Sequence, residues 1–262
     1  MSAKRSIRPP SGPVPNQPPV IRPEDGLLLV DKPAGMTSHD VVHAVRSHFR
    51  IRKVGHCGTL DPQATGLLML LTGRATRLSQ LLMGSDKTYL GTIRLGTRTS
   101  TQDSEGEVLE ELPVPELSED EIKAQMRPFL GDQYQTPPMV SAVKIDGQRL
   151  YKLARKGQEV ERPQRFIHIY RFDLLEFHRP DELITLVRCT KGTYVRTLAE
   201  DLGRALGCGA HLAALRRTNS DPFSVDQAHS LAKLLSAPPE PLGIVPFLIP
   251  FHQIRAGLDT IA

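Results

Sequence analysis

The stretch Gly55-His56-Cys57-Gly58-Thr59-Leu60-Asp61-Pro62-Gln63-Ala64-Thr65-Gly66 decides how the chain is read. Three glycines and a proline within twelve residues exclude a helix and mark a tight loop. Pro62 pushes Asp61 toward extended or polyproline geometry. Directly after the loop, Leu67-Leu68-Met69-Leu70-Leu71 is an unbroken apolar run fit for a buried strand. A single carboxylate is thus held in a shaped loop that a core strand anchors. Such an aspartate is either a hub of hydrogen bonds to its own loop or a catalytic group, and these residues by themselves leave both open.

Toward the N-terminus, Gly26 to Val30 forms a second buried-strand candidate, and Asp31 to Ser38 turns the chain. Ser38 is expected to cap a helix, Asp40 favours its positive end, and Val41, Val45 and Phe49 fall on one face. Residues 1–25 are rich in proline and basic side chains, cannot bury a core, and are expected to form a disordered tail.

Toward the C-terminus, Ala75 to Met83 predicts a short helix with Leu78, Leu81 and Leu82 inward. Lys87 to Leu95 predicts a strand whose alternation places Tyr89, Ile93 and Leu95 on one face. Asp103 to Glu121 holds nine acidic residues and no lysine or arginine, so this surface is expected to lie away from any nucleic-acid site. Within it, Ser118 to Glu121 spells a capping box, leading into a helix striped by Ile122, Met126, Phe129 and Leu130 and ended by Gly131. Asp146-Gly147, between Val143-Lys144-Ile145 and Gln148-Arg149-Leu150, signals a hairpin. Tyr151 to Lys156 suggests a short helix. From Lys144 to Arg165 there are seven basic and three acidic residues. Set against the acidic segment before it, this block favours an RNA-facing surface. Two more strands are expected over Phe166–Phe177 and Leu183–Cys189. A helix follows, running to Leu206 with Leu198, Leu202 and Leu206 on one face. Arg196 in its first turn opposes the helix dipole and needs an acidic partner. Asp61 or a surface carboxylate would serve. Leu231, Leu234 and Leu235 suggest a last short helix, and 238–250 is broken by prolines.

The chain has 262 residues, 39% hydrophobic and 24% charged, with a net charge of +4. These are the proportions of a soluble globular protein with one large or two small domains. The charge balance permits a polyanionic partner without demanding one. No apolar run approaches a membrane span and no signal peptide is visible. The three cysteines, Cys57, Cys189 and Cys208, form no CxxC, which suits a reduced cytoplasmic setting without disulfides or zinc. Cys57 beside His56 does not make a thiol nucleophile, because neighbours in sequence usually point apart.

The twelve-residue loop resembles the signature of the TruB-type tRNA pseudouridine synthases, enzymes that isomerise uridine 55 in the tRNA T loop. Val30-Asp31-Lys32-Pro33-Ala34-Gly35-Met36-Thr37-Ser38 is similar to that family's other N-terminal motif. Lys191-Gly192-Thr193-Tyr194-Val195-Arg196-Thr197 resembles its third, and Cys208 to Thr218 a fourth, all in family order across residues 26 to about 222. The resemblance implies an α+β pseudouridine synthase fold: a mixed, largely antiparallel central sheet with flanking helices and a thumb-like insertion. It implies a catalytic domain over 26–237 with the thumb at about 139–165, and a C-terminal tail over 238–262 in place of a full PUA module. Asp61 would be the catalytic aspartate, acting on C1′ or C6 or taking the C2′ proton, with Arg196 paired to it. Tyr89 would stack on the everted base and assist loss of the C5 proton. His56 would steady the opened T loop, and Lys32, Tyr194 and Leu215 would line the pocket. Arg149, Lys152 and Arg155 would grip the T-arm. Where Val140 stands the family commonly has a tyrosine, which removes a stacking group. The implied partner is tRNA, with no cofactor, metal, membrane or obligate protein partner, in a cytoplasmic monomer. Two rivals are a non-catalytic RNA-binding protein on the same scaffold and a guided enzyme acting on ribosomal RNA.

Overall fold

The computed structural model describes residues 22–139, 144–145, 148–149 and 160–254. The expected tail up to residue 21, the turn Asp146–Gly147, Val140, and the short helix with Lys152, Arg155 and Lys156 lie outside the described residues. In chain order the elements are β1 (Gly26–Lys32), α1 (Ser38–His48), β2 (Val54–Cys57), β3 (Thr65–Thr72), α2 (Ser79–Met83), β4 (Lys87–Leu95), β5 (Thr97–Thr99), β6 (Val108–Glu111), α3 (Glu119–Met126), β7 (Gly131–Gln135), β8 (Lys144–Ile145) and β9 (Gln148–Arg149). There follow β10 (Arg165–His178), β11 (Glu182–Cys189), α4 (Val195–Ala205), β12 (Ala210–Ser220), β13 (Phe223–Ser224), β14 (His229–Ser230), α5 (Leu231–Leu235) and β15 (Leu248–Pro250).

An eleven-stranded sheet carries the molecule, in the order β14-β1-β3-β12-β4-β11-β10-β7, with β2 added to β3, β13 to β12 and β15 to β1. Only β1–β14 and β3–β12 pair in parallel. The expected α+β architecture, a mixed and mostly antiparallel sheet flanked by helices, is therefore what the chain adopts. The apolar run in β3 is unbroken because both faces are covered. Leu68 and Leu70 meet α1 and α5 through Val41, Val45, Phe49, Leu231 and Leu234. Leu67, Met69 and Leu71 turn the other way, toward Leu82 and Ile254. A second core lies under α3 and α4, where Ile122, Met126, Leu198 and Leu202 pack on Ile93, Ile167, Ile169, Leu183 and Val187.

Local signals held with small shifts. The cap of α1 is Thr37, in a capping box with Asp40, rather than Ser38. Ser38 instead turns inward, as described below. The capping box at Ser118 and Glu121 opens α3 as its spacing predicts. Leu82 is buried, but Leu81 is 57% exposed and Leu130 46% exposed, so those two leave their expected inward faces. β8 pairs antiparallel with β9, matching the hairpin signal. The first half of the segment 238–262 is tied to the body: β15 pairs with β1, and Ile244 and Ile254 are buried. Among the described residues no helix is long and apolar enough to cross a membrane.

Candidate active site

The loop carrying Asp61 is shorter than the glycines suggest, because His56 and Cys57 belong to β2 and pair with Leu70 and Met69 of β3. The loop proper starts at Gly58, in the left-handed region at φ +87°. It closes at Gly66, whose φ of +96° and parallel pairing with Arg217 leave no room for a side chain. A Cβ there would sit 2.3 Å from the Arg217 carbonyl oxygen. Two anchors bracket Asp61. Ser38 Oγ receives the Leu60 N–H at 2.9 Å and donates to the Leu60 carbonyl at 3.1 Å. Lys32 Nζ donates to the carbonyls of Pro33 (2.8 Å), Met36 (2.6 Å) and Pro62 (2.9 Å). With Leu60 and Pro62 both pinned, the residue between them has a fixed backbone.

The facing wall is the start of α4. Gln135 at the end of β7 clamps Tyr194, donating to its carbonyl at 3.1 Å and receiving its N–H at 2.8 Å. This sets the entry of the helix, and Arg196 follows two residues on. Arg196 Nε lies 3.1 Å from Asp61 Oδ2, with the arginine side chain 5% exposed and the aspartate 42%. Nη1 of the same guanidinium donates to Asp103 Oδ2 at 3.1 Å and to the Thr101 carbonyl at 3.0 Å. The acidic partner that a first-turn arginine requires is therefore supplied twice. Asp103 corrects the expectation that the acidic segment stands clear of the site. Asp103 and Glu105 line the cleft, while residues 106–121 line neither of the cavities described next.

Two hollows meet at Asp61, Arg196 and Leu215, which border both. The larger, about 660 Å³, is walled by Ala64, Leu90, Ile184, Leu212 and Ala214, with Asp103 and Glu105 as its acids. The smaller, about 340 Å³, contains Tyr89 and Tyr194 together with Lys87, Arg165, Lys191 and Arg217. Burial pushes the Asp61 carboxyl up; Arg196 pulls it back, Asp103 pushes it further up, and the charge of Lys32 pulls it down. Burial also raises the Tyr89 phenol, against the pull of the nearby Arg217 guanidinium. Lys32, fully buried, is lowered to about 8 by desolvation, opposed first by Asp61.

Of the residues singled out in the sequence, Asp61, Arg196, Tyr89, Tyr194 and Leu215 come together around these hollows. Lys32 lines neither; it lies beneath the loop as a staple. His56 sits on β2 opposite Leu70 and also lines neither. Arg149 is described only as part of β9. Lys152 and Arg155 fall outside the described residues. Four residues escaped the sequence reading: Asp103, Gln135, Lys87 and Arg217. For Lys87 the signal existed, since the alternation that turns Tyr89 inward also turns Lys87 inward.

Comparisons with known proteins give the family. The family model described as TruB family pseudouridylate synthase (N-terminal domain) matches residues 46–195, and the model for the tRNA pseudouridylate synthase B C-terminal domain matches 196–239. The Asp61–Arg196 pair bridges those two segments. The chain is 57% identical over 235 residues to a tRNA pseudouridine synthase B from Opitutus terrae, covering 89% of this chain and 96% of the relative. It is 50% identical over 216 residues to the protein of that name from Mycobacterium tuberculosis, covering 81% of this chain and 72% of the relative. Among solved structures, a chain of a Cbf5–Nop10–Gar1 complex superposes with a TM-score of 0.69 at 29% identity. That match covers 88% of this chain but 61% of the other, so this chain spans less than two thirds of that one.

Proposed function

The chain belongs to the TruB family of pseudouridylate synthases and isomerises uridine to pseudouridine in tRNA; from that premise we propose that its target is uridine 55 of the T loop and that Asp61 performs the rearrangement. The observation that carries this reading is the 3.1 Å contact between Asp61 and the buried Arg196 at the junction of two hollows. Isomerisation requires the uracil to leave its stack, which costs a few kcal/mol. The N1–C1′ bond must then break, the base must turn, and C5 must bond to C1′. Asp61 attacks C1′ or C6, or takes the C2′ proton; each role needs an ionised carboxylate aimed at the sugar or ring. Arg196 supplies both the aim and the charge, countering a burial that would otherwise favour the neutral acid.

Tyr89 serves as the stacking surface for the everted base, with Leu215 at its edge and Tyr194 closing the wall. A phenol raised by burial is a poor acceptor for the C5 proton, so stacking is the role that suits Tyr89. Lys32 keeps the Asp61 loop in place, and His56 steadies displaced T-loop nucleotides from the neighbouring strand. The block containing Arg149, Lys152 and Arg155 grips the T-arm as a thumb on a catalytic domain spanning 26–237. The protein acts as a cytoplasmic monomer on free tRNA, without cofactor or obligate partner. The test is Asp61→Asn. Tritium release from C5-labelled uridine in a T-arm stem-loop is expected to vanish while RNA binding persists; activity retained in the variant overturns the assignment.

A further inference from the structure

Besides Arg196, three cations are buried near Asp61: Lys32 and Arg217 at 0% and 1% exposure, and Lys87 at 6%. Among the described residues none of the three makes an ion pair with a carboxylate. A buried charge without a counter-ion is costly. Lys32 has a structural reason, since its ammonium is consumed by three carbonyls. The other two point into the smaller hollow. Lys87 Nζ donates to the carbonyls of Met83 and Ser85, using two of its three donors. Arg217 donates from Nε to the Leu67 carbonyl at 2.7 Å and from Nη2 to the Gly58 carbonyl at 3.3 Å.

The reaction supplies an anion at that place. When N1–C1′ breaks heterolytically, the electron pair stays with the ring and spreads over O2 and O4. The sugar's deficit is met by a bond from Asp61 to C1′ or by loss of the C2′ proton to Asp61. If Asp61 adds to C6 first, the same charge appears on the ring as an enolate. On every route the base is anionic while it lies against Tyr89. We propose that Lys87 and Arg217 form the electrostatic seat for the uracil ring while it carries that negative charge. The C5–C1′ bond then forms as the Asp61–C1′ bond breaks or the proton returns to C2′; on the C6 route Asp61 leaves C6 as C5 loses its proton. The C5 proton leaves and N1 takes one up, so no co-reactant is consumed.

Lys87 is lowered to about 8, by burial first and then by the charge of Arg217; Cys189 and Asp86 oppose this and Lys191 adds to it. The Cys57 thiol, pushed up to about 11, also feels Lys87. Lys87 is therefore charged at neutral pH, and its charge disappears as pH rises through about 8.

This inference rests on the role given to Asp61, and the experiment separates the two. Single-turnover loss of the starting nucleoside from a T-arm stem-loop, read by nucleoside chromatography, is measured with uridine or 5-fluorouridine at the target, fluorine making the ring a more stable anion while leaving C5 no proton to shed after C5–C1′ bonding. Lys87→Met is expected to slow the uridine substrate by about 10²-fold. RNA affinity should stay within about twofold, and the deficit should be several-fold smaller on 5-fluorouridine. Lys87→Arg, whose cation does not titrate here, should keep most of the rate and move the alkaline limb of kcat/KM upward from about 8. Equal deficits on the two substrates, a loss confined to KM, or an unmoved alkaline limb in Lys87→Arg each overturn it. Should Asp61→Asn prove inactive while any of these occurs, the inference alone fails; should Asp61→Asn be active, the underlying reading fails.

Discussion

The two hollows that meet at Asp61 differ in nearly everything except that shared edge. The larger is mostly apolar and holds Asp103 and Glu105, with one cation besides Arg196, Arg216, which is paired with Asp31; the smaller holds four cations besides Arg196, and Tyr89. Volume alone would seat the substrate in the larger one. Under the proposed function, charge and a ring suited to stacking would favour the smaller for the nucleotide, because a phosphodiester chain is repelled by carboxylates and drawn to lysine and arginine. Arg196 sits on the dividing wall, with one carboxylate on each side of its guanidinium. The difference teaches how one aspartate is tuned: Asp103, in the larger hollow, raises its pKa, while Arg196 on the wall and Lys32 beneath the loop restrain that rise.

The strongest way to break this partition is to remove the wall. Arg196→Met leaves Asp61 and Asp103 without their common cation. Stability should fall by about 3 kcal/mol, since a buried pair is being broken, and catalysis should drop by at least about 10³-fold. Thermal melts and tritium release measure both. If activity survives within tenfold, the division into two chambers has no catalytic meaning.

A milder change tests the direction of tuning. Asp103→Asn retains an oxygen for Arg196 but removes the charge that pushes Asp61 up. Activity needs ionised Asp61 and is lost as pH falls through its pKa. A lower pKa therefore moves the acid limb of kcat/KM to lower pH. A limb displaced upward would mean that Asp103 acts by holding Arg196 in place rather than by its field. The smallest effect belongs to Glu105, which is exposed and whose carboxylate accepts from Gln63 at 3.4 Å. Glu105→Gln should tighten T-arm binding by about twofold at low salt and not at high salt. Filter binding at two ionic strengths reads this.

What was legible in the sequence divides along physical lines. Apolar runs mark β1 and β3, which are buried on both faces, and alternating β-forming residues mark β4. β12 did not show itself: bulges between Leu212 and Ala214 and between Arg217 and Asn219 break its alternation. β7 is a short polar strand at the sheet margin, and β2 is masked by its glycine. Asp61 and Arg196 were recognisable through the resemblance of whole motifs, whereas spacing alone offered no reason to join them. Asp103 carried no local mark, being one acid among nine, and only the fold turns it toward the cleft. Lys32 illustrates the reverse case. Its motif was noticed, but its work is to hold three carbonyls beneath the loop rather than to face the substrate.

The pairing of β1 with both β14 and β15 has a consequence for biosynthesis. Gly26 finds its antiparallel neighbour at Pro250, and Val30 its parallel one at His229. A nascent chain emerging from the ribosome therefore carries an incomplete strand border through almost the whole of translation. Contacts of such long sequence separation form slowly, so this unfinished border is where a chaperone would be expected to attend the growing polypeptide.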